Sequence, residues 1–177
     1  MIFSETSISD CLSIELERRG DDRGFFARFF CDEEFAEAGY PMKVVQANDS
    51  FSADLATLRG MHYQVGVGSE TKIIRCLRGA IFDVVIDIRP SSPSYMKWEG
   101  FSLDEENRKM VRVPKGCAHG FLTMEPDTEV FYLVDSPYSP NAERGIRWND
   151  PAFGVHWPME PKVQSDKDAN WANFQIE

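Results

Sequence analysis

Short runs in which apolar and polar residues alternate recur along the chain, separated by clusters of Gly, Pro, Asn and Asp. Alternation marks a strand with one buried face, and turn residues at intervals of about 8–12 positions are typical of antiparallel sandwiches and barrels. A short helix is predicted at Glu33–Ala38, with Asp32 as its cap and Gly39 as its end. Glu105–Arg108 forms at most one helical turn. We predict strands at Cys11–Leu16, Phe25–Phe30, Lys43–Gln46, Leu58–Gln64, Lys72–Leu77, Ala80–Arg89, Lys97–Leu103, Met110–Val113, Ala118–Met124 and Thr128–Val134.

The chain of 177 residues is long enough for one domain with a sizeable core, and its 42% apolar content and 13 phenylalanines fit a globular protein. After Ser136 the sequence is rich in Pro, Asn and Trp, which predicts a loop-rich tail packed on the strands. No repeat, linker or low-complexity segment interrupts the chain. We therefore expect a single all-β domain over residues 1–177, an antiparallel sandwich or barrel with a few short helices.

The formal charge of -10 argues against general binding to nucleic acid or anionic membranes, but it leaves room for a small anionic ligand. The four cysteines show no Cys-x-x-Cys spacing, so zinc or redox roles are not expected and disulfides are not required. The N-terminus lacks the pattern of a signal peptide, and no apolar run approaches the ~20 residues of a membrane span. The sequence predicts a soluble, cytoplasmic protein.

The candidate chemistry centres on Leu58–Gln64 and the run that follows it from Lys72 to Cys76. Alternation places His62 on one face of the first run and Lys72 on the apolar face of the second. A lysine that points inward needs a buried acidic partner or a ligand cavity, because an unpaired buried charge is costly. His62 alone is more often a core histidine, but His62 and Lys72 facing one interior indicate a site.

Gly60 interrupts the first of these runs. Arg59 reaches the same side as His62 only if strict alternation breaks between them. We therefore expect a kink or bulge at Gly60.

The stretch Pro114–Phe121 is a turn that enters a strand and carries His119, which either caps the turn or faces the site. Its Pro-x-Gly-x-x-His pattern resembles the second motif of cupin barrels. The first cupin motif needs His-x-His, whereas this chain has His62-Tyr63-Gln64. With only three histidines in the chain, a metal site built from two or three imidazoles is improbable.

Tyr132 shares a strand face with Val130 and Val134, so it is predicted to point into the barrel. It is either a core tyrosine with one hydrogen bond or part of the site. A base, a phenol and a cation around one cavity suit proton abstraction next to a carbonyl. His62 would be the base, Lys72 or His119 would stabilise the enolate oxygen, and Tyr132 would donate a proton on the opposite face.

The sequence leaves alternative functions for Asp83, for Asp87 and for the acidic run at Ser165–Asp168. Asp83 or Asp87 could neutralise Lys72, and Asp87 is expected to be exposed. The run Ser165–Asp168 is either a solvated charge run or a segment that brings a carboxylate back to orient a histidine.

Taken together, these segments resemble the dTDP-4-dehydrorhamnose 3,5-epimerase family, nucleotide-sugar epimerases of the cupin fold. The matches run in family order from about residue 20 to 168, and although each is weak the ordered set is highly specific. The matching stretches are Asp22-Arg23-Gly24-Phe25-Phe26, Gln46-Ala47-Asn48, Leu58–Gln64, Lys72, Gly79–Val84, Asp87-Ile88-Arg89 with Ser92-Pro93, Pro114–Phe121, and Trp148–Pro151 with Trp157-Pro158.

The resemblance implies a cupin-type jelly-roll barrel and an epimerase that needs no cofactor. It implies that His62 takes the C5 and C3 protons of a 4-keto-6-deoxy sugar while Asp168 orients it, and that Tyr132 is the acid on the other face. Lys72 would stabilise the enolate at O4, with Asp83 as its supporting partner. The positions implied to bind nucleotide, diphosphate and sugar are Arg23, Gln46, Asn48, Arg59, His119, Tyr138, Glu143 and Lys167.

The resemblance also implies a homodimer whose N-terminal strands are exchanged, so Arg23 would serve the neighbouring site. One position departs from the family pattern: Arg28 stands where a nucleotide-contacting Glu is usual. Arg28 is either an outward arginine or a change in nucleotide or sugar preference. The sequence does not decide between inversion at C3, at C5 or at both.

Two other functions are compatible with the pattern. One is a non-catalytic cupin that binds a nucleotide sugar or another small anion, against which His62, Tyr132 and Asp168 argue. The other is a metal-dependent cupin dioxygenase or isomerase.

Overall fold

The computed structural model describes residues 1–175, whose regular secondary structure is almost entirely β-strand. The helices are α1 (Asp32–Glu37) and α2 (Asp166–Ala169), with one 3-10 turn at Gly66–Gly68. Neither helix in this part of the chain has the length and apolar character that a membrane span requires. The strands are β1 (Ile2–Glu5), β2 (Leu12–Glu15), β3 (Arg19–Asp21), β4 (Gly24–Phe26), β5 (Gln46–Ser52), β6 (Leu58–Gln64), β7 (Lys72–Arg78), β8 (Ala80–Asp87), β9 (Trp98–Asp104), β10 (Met110–Val113), β11 (Cys117–Thr123), β12 (Thr128–Val134) and β13 (Glu143–Gly145).

The strands form two larger antiparallel sheets and a small hairpin. The first sheet has the order β1-β2-β10-β7-β12-β5, the second has the order β13-β6-β11-β8-β9, and β3 pairs with β4. Strands that are neighbours in a sheet are often far apart in sequence, as in a jelly roll rather than a simple meander. The predicted antiparallel all-β sandwich with a few short helices is confirmed.

The main core lies between the two sheets. Ile74 and Val130 of the first sheet pack with Val85 and Phe121 of the second, and all four are nearly or fully buried. Ile74 and Val130 lie on the strand faces for which alternation predicts burial. Burying an aliphatic or aromatic side chain of this size stabilises the fold by about 1.5–3 kcal/mol.

The outer face of each sheet is also covered. The first sheet is covered by α1 and its flanking loops, where Phe35 is fully buried against a cluster that includes Ile14 and Met110. The second sheet is covered by the C-terminal tail, where Phe153 packs with Ile86. As predicted, the tail is loop-rich and packs on the strands.

Three strands, β6, β10 and β12, have the bounds predicted from the sequence. The prediction at Phe25–Phe30 is wrong, since only Phe25 and Phe26 belong to a strand. Phe29 and Phe30 instead lie over the first sheet, with ring centroids 5.8 Å from Phe131 and 5.2 Å from Phe35 respectively. The aromatic content of this run reflects burial against a sheet rather than membership of one.

The prediction at Lys43–Gln46 is also wrong, because the strand begins at Gln46 and continues to Ser52. This strand, β5, is a polar edge strand, so its hydrophobic signal is weak. The edge strands β1 and β13 were not predicted, and residues 105–107 form a turn without a helix. α1 begins after Cys31, which provides no side-chain cap, whereas Gly39 follows its end with a φ of 89°.

Candidate active site

A cavity of about 490 Å³ lies between the sheets and is lined by residues from both. His62 of β6 enters it from the second sheet, while Lys72 of β7 and Tyr132 of β12 enter it from the first. Phe121 and Val130 form part of its apolar wall. The imidazole and the phenol therefore line one space from opposite sides.

A second cavity of about 360 Å³ shares His62, Lys72 and Tyr132 with the first. Both volumes fall within the range of small-molecule sites. The three shared residues thus mark the junction of the two cavities. The remaining predicted residues that line the second cavity are Gln46, Asn48, Tyr138 and Glu143.

Gly60 allows two polar side chains of β6 to reach the first cavity. It has a φ of +137°, and a Cβ there would lie 2.5 Å from the Cα of Gly120. The register between β6 and β11 shifts at this point, so Arg59 and His62, three positions apart, both line the cavity. The predicted bulge is confirmed. Arg59 is held by donating from Nε to Ser52 Oγ, 3.1 Å away.

His62 forms a short hydrogen bond with Asp168, with 2.6 Å between Nε2 and Oδ1. This bond occupies Nε2 and leaves Nδ1 as the ring nitrogen that can accept a proton from a ligand. Burial raises the pKa of Asp168, but the hydrogen bond with His62 and its charge outweigh burial, so the pKa lies below its ordinary value. Trp171 donates to Oδ1 at 3.3 Å and Gly60 N to Oδ2 at 3.4 Å.

The C-terminal tail carries Asp168 to this position. Leu58 N donates to Val163 O at 2.8 Å, which fixes the tail beside the start of β6. Ser165 then caps α2, its Oγ accepting from Asp168 N at 3.0 Å. The run Ser165–Asp168 is therefore more than a solvated face, because Asp168 is only 5% exposed.

His119 forms a second histidine–carboxylate pair beside the first. His119 and His62 are direct cross-strand partners, and His119 Nε2 lies 2.7 Å from Asp83 Oδ1. Both members are buried, and within residues 1–175 the other oxygen of Asp83 has no hydrogen-bond partner. Asp83 therefore supports His119. The predicted pairing of Asp83 with Lys72 is wrong, since Lys72 pairs with Glu70.

The acidic partner of Lys72 lies two residues before it in the chain. Its Nζ lies 3.1 Å from Glu70 Oε1, and both side chains are largely buried. The expectation that Asp87 is exposed is also wrong, since it is fully buried. Burial raises the pKa of Asp87, but hydrogen bonds from Arg89, Ser92 and Ser94 lower it to about 2.

Tyr132 presents a hydroxyl for which no group in residues 1–175 is a hydrogen-bond partner. Burial raises its pKa, the charge of Glu70 raises it further, and Arg59 acts in the opposite direction. The net direction is upward, so this phenol keeps its proton at neutral pH.

Lys167 and Glu143 form a 2.5 Å ion pair beside the two cavities. The hydrogen bond to Glu143 raises the pKa of Lys167. Tyr138 is 58% exposed and donates its hydroxyl to Glu143 at 2.6 Å, while its backbone N donates to Gln46 Oε1 at 2.7 Å. The pair thus connects the lining of both cavities.

Two predicted binding residues lie away from both cavities. Arg23 is on the β3–β4 hairpin, where it is paired with Asp21 and highly exposed. Arg28 donates from Nη1 to Glu34 Oε1 at 2.7 Å. Within one chain, neither arginine reaches the junction where His62 lies.

Comparison with known proteins assigns the arrangement to a family. The family model described as dTDP-4-dehydrorhamnose 3,5-epimerase matches residues 5–175. The chain belongs to this family. The dTDP-4-dehydrorhamnose 3,5-epimerase of Sinorhizobium fredii is 42% identical over 171 residues, which are 96% of this chain and 88% of that protein.

Solved structures of the family agree with the fold. A dTDP-4-dehydrorhamnose 3,5-epimerase from Bacillus anthracis, with TDP and PPi bound, superimposes with a TM-score of 0.94 at 38% identity, covering 98% of this chain and 99% of that one. A 3′-monoepimerase from Streptomyces bikiniensis in complex with dTDP-quinovose gives 0.87 at 34% identity, covering 95% and 85%. The protein is therefore a sugar epimerase, an isomerase of the cupin-type fold.

Sequence reasoning missed three residues of this epimerase site: Glu70, Ser165 and Trp171. Glu70 stands two positions before Lys72, a spacing that could have suggested a partner. Trp171 lies edge-on to His62, with 6.4 Å between ring centroids, and packs where a Cβ on Gly145 would clash. No local sequence pattern predicts the contact between Trp171 and His62, because it depends on the path of the C-terminal tail.

The described residues 1–175 contain no group of three or more His, Cys, Asp or Glu side chains placed to hold a metal ion. The four cysteines are all free. Burial raises the pKa of Cys11 and that of Cys76 to about 12, so neither is a thiolate at neutral pH.

Proposed function

We propose that this chain inverts C3, C5 or both of a nucleotide-linked 4-keto-6-deoxy sugar, of the dTDP-4-dehydro-6-deoxyglucose type, through an enolate. His62 is the base and Tyr132 is the acid. The observation that carries the proposal is that His62 and Tyr132 line one cavity from opposite sheets, with Lys72 beside them. The substrate class follows from the names of the relatives.

The first half of the reaction breaks a C–H bond next to the ketone. His62 Nδ1 takes the proton, and the electron pair moves into the carbonyl to form the enolate at O4. Asp168 stabilises the imidazolium because its own charge is held by three hydrogen bonds. Lys72 stabilises the negative oxygen.

The second half delivers a proton to the other face of the same carbon. Tyr132 donates its hydroxyl proton, the enolate electrons form the new C–H bond and the ketone is restored. The phenolate regains a proton from water and His62 releases its own, so no net proton is consumed. A raised pKa suits Tyr132 for this role, since the donor must be protonated when the enolate forms.

The mouth of the cavities suits an anionic nucleotide. Arg59 and Lys167 provide positive charge for a diphosphate. The exposed ring of Tyr138, with Gln46 and Asn48 nearby, offers a stacking face and amide groups for a base.

Isotope exchange tests the proposal. In deuterium oxide, the wild-type enzyme should introduce solvent deuterium at the carbons that it inverts. His62→Ala should reduce this wash-in at both carbons by about 10³-fold while the protein stays folded, because only the base is lost. Tyr132→Phe should still exchange but fail to invert. If Tyr132→Phe inverts at the wild-type rate, the assignment of the acid is wrong.

We further propose a homodimer in which the β3–β4 hairpin of one subunit reaches the site of the other. The hairpin is exposed, with Phe25 43% and Phe26 67% accessible, and it holds Arg23 away from its own cavity. A hairpin with exposed aromatic residues is suited to cover a partner.

Subunit mixing separates this arrangement from one in which Arg23 acts within its own chain. Arg23→Ala and His62→Ala enzymes should each be weak. If Arg23 acts across the dimer, a mixed dimer contains one intact site and activity returns. No recovery in a mixture that contains heterodimers would exclude an exchanged Arg23. Light scattering establishes the oligomeric state independently.

Arg28 is the position that we expect to alter the nucleotide preference. We propose that a Glu34-paired arginine at this position changes the nucleotide or sugar preference from that of relatives with Glu. Turnover of dTDP-, CDP-, GDP- and UDP-linked 4-keto-6-deoxy sugars measures this, with Arg28→Glu as the comparison variant.

Four free cysteines suit the reducing cytoplasm, where we place the enzyme.

A further inference from the structure

The ion pair of Glu70 and Lys72 is more than a neutralised cation, because of where it lies. The two side chains are only 11% and 14% exposed, and both line the second cavity together with Tyr132. Charges in such a partly desolvated place act on their neighbours more strongly than they would in water.

The backbone holds Glu70 in a fixed position. The next residue, Thr71, is 3% exposed and donates from N to Asp135 Oδ1 at 2.7 Å. Asp135 N donates back to Thr71 O at 3.3 Å. These two bonds tie the segment to the end of β12, the strand that carries Tyr132, so the carboxylate does not belong to a mobile loop.

The other charged groups around Tyr132 are already engaged. His62 is paired with Asp168, His119 with Asp83, and Lys167 with Glu143. Glu70 is thus the carboxylate that forms an ion pair with Lys72, the cation on the same sheet as Tyr132. The charged and titratable side chains that share the two cavities with Tyr132 are Arg59, His62 and Tyr63 from β6, Glu70 and Lys72 from β7 and the residues before it, His119 from β11, Tyr138 from the loop before β13, Glu143 from β13, and Lys167 and Asp168 from α2.

We propose that Glu70 is a positioning residue of the epimerase: it holds the Lys72 ammonium at the junction of the two cavities and places a negative charge in the cavity that the Tyr132 hydroxyl lines. The inference rests on the proposed function, in which Tyr132 is the acid. Burial is the main cause that raises the pKa of Tyr132, the negative charge of Glu70 adds to it, and Arg59 acts in the opposite direction. Glu70 therefore acts with burial against the charge of Arg59.

Titration of Tyr132 in the free enzyme tests this without any turnover. The protein has five tyrosines, which can be labelled with ¹³C at Cζ, and Tyr132→Phe assigns the signal. Glu70→Gln is nearly isosteric and removes the charge, so the pKa of Tyr132 should fall by about half a unit or more. Lys72→Met removes the opposing charge, so the same pKa should rise.

Glu129→Gln is the matched control, since Glu129 lies on the same strand as Tyr132 but lines neither cavity. It should leave the Tyr132 titration unchanged. In Glu70→Gln the alkaline limb of the kcat profile should move to lower pH by the same half unit, which lowers turnover on that limb by about threefold.

An unchanged Tyr132 pKa in Glu70→Gln, or an equal fall in Glu129→Gln, overturns the inference. If Glu70→Gln does not fold, Glu70→Met, which removes the same charge from a side chain of similar length, takes its place, and an unchanged Tyr132 pKa in that variant overturns the inference. Failure of the proposed function has a different signature: Tyr132→Phe would still invert the sugar while Glu70→Gln still shifted the Tyr132 titration.

Discussion

The two histidine–carboxylate pairs of this fold lie side by side yet differ in almost everything except distance. His62 and His119 are cross-strand partners, and their carboxylates lie 2.6 Å and 2.7 Å from Nε2. Asp83 comes from the adjacent strand β8, whereas Asp168 comes from a helix 106 residues beyond His62. The His62 side chain is 30% exposed and that of His119 is 8% exposed.

The carboxylates differ in what surrounds their oxygens. Asp168 also accepts from Trp171 and from Gly60 N, so its charge is stabilised. The second oxygen of Asp83 is buried without a partner among residues 1–175, which makes a full charge costly there. Accessibility and complete hydrogen bonding, rather than distance, therefore distinguish the pair that we propose transfers the proton from the other pair.

The largest effect that separates the pairs should come from Asp168→Asn. Loss of the charge removes the stabilisation of the His62 imidazolium and weakens the selection of its tautomer. We expect kcat for deuterium wash-in to fall by about 10²–10⁴-fold with little change in folding. The same substitution at Asp83 should lower kcat by less than about tenfold, because in the proposed mechanism His119 does not carry the transferred proton. Equal losses at the two positions would remove the functional distinction.

The two carboxylates should rank in the opposite order in their contribution to the free energy of unfolding. Asp83→Ala leaves the buried Nε2 of His119 unpaired and opens a small cavity, which should lower the free energy of unfolding by about 3 kcal/mol. Asp168→Ala should cost less, about 1 kcal/mol, because His62 is accessible to water. Urea denaturation of both variants measures the difference. A larger loss for Asp168→Ala would show that the tail, rather than the sheet, depends on its pair.

Acid titration of stability should reveal that Asp168 works as a charge. Burial raises its pKa, but the hydrogen bond and charge of His62, with the bonds from Gly60 N and Trp171, together outweigh burial, so the folded pKa lies below the unfolded value of about 3.9. Its contribution is complete above that value and is lost as the pH falls through the folded pKa. The gap in unfolding free energy between wild type and Asp168→Asn should be constant above about pH 5 and shrink toward pH 2. A gap that stays constant down to pH 2 contradicts the charged pair.

The strands that line the cavities could be predicted because one rule governs them. In β12 alternation sets the face that lines the cavity, in β6 it does so with one break at Gly60, and both ranges match the prediction. In other segments, the position of the residues relative to the sheets determines their polarity more than alternation does. Phe29 and Phe30 are apolar because they cover a sheet from outside, and β5 is polar because it is an edge strand.

The site shows the same division. His62, Lys72 and Tyr132 could be assigned from strand faces, and the bulge at Gly60 from the position of Arg59. Strand pattern alone does not assign their partners, because it does not specify which acid reaches which base; Asp168 was implied as the partner of His62 by the family resemblance. Two acids can suit one lysine by face, and only the register of β8 against β11 directs Asp83 to His119.

The smallest effect concerns the tail that makes the exposed pair possible. Ser165→Ala removes the cap that accepts from Asp168 N, and such a cap stabilises a helix end by about 1 kcal/mol. Because α2 has only four residues, this loss should loosen Asp168 without unfolding the sheets, and kcat should fall by a few fold. Ser165→Thr keeps a capping oxygen and should retain wild-type turnover. If Ser165→Ala also retains it, the tail is held by Trp171 against Gly145 and by the Val163 bridge, and the cap contributes nothing to the orientation of His62.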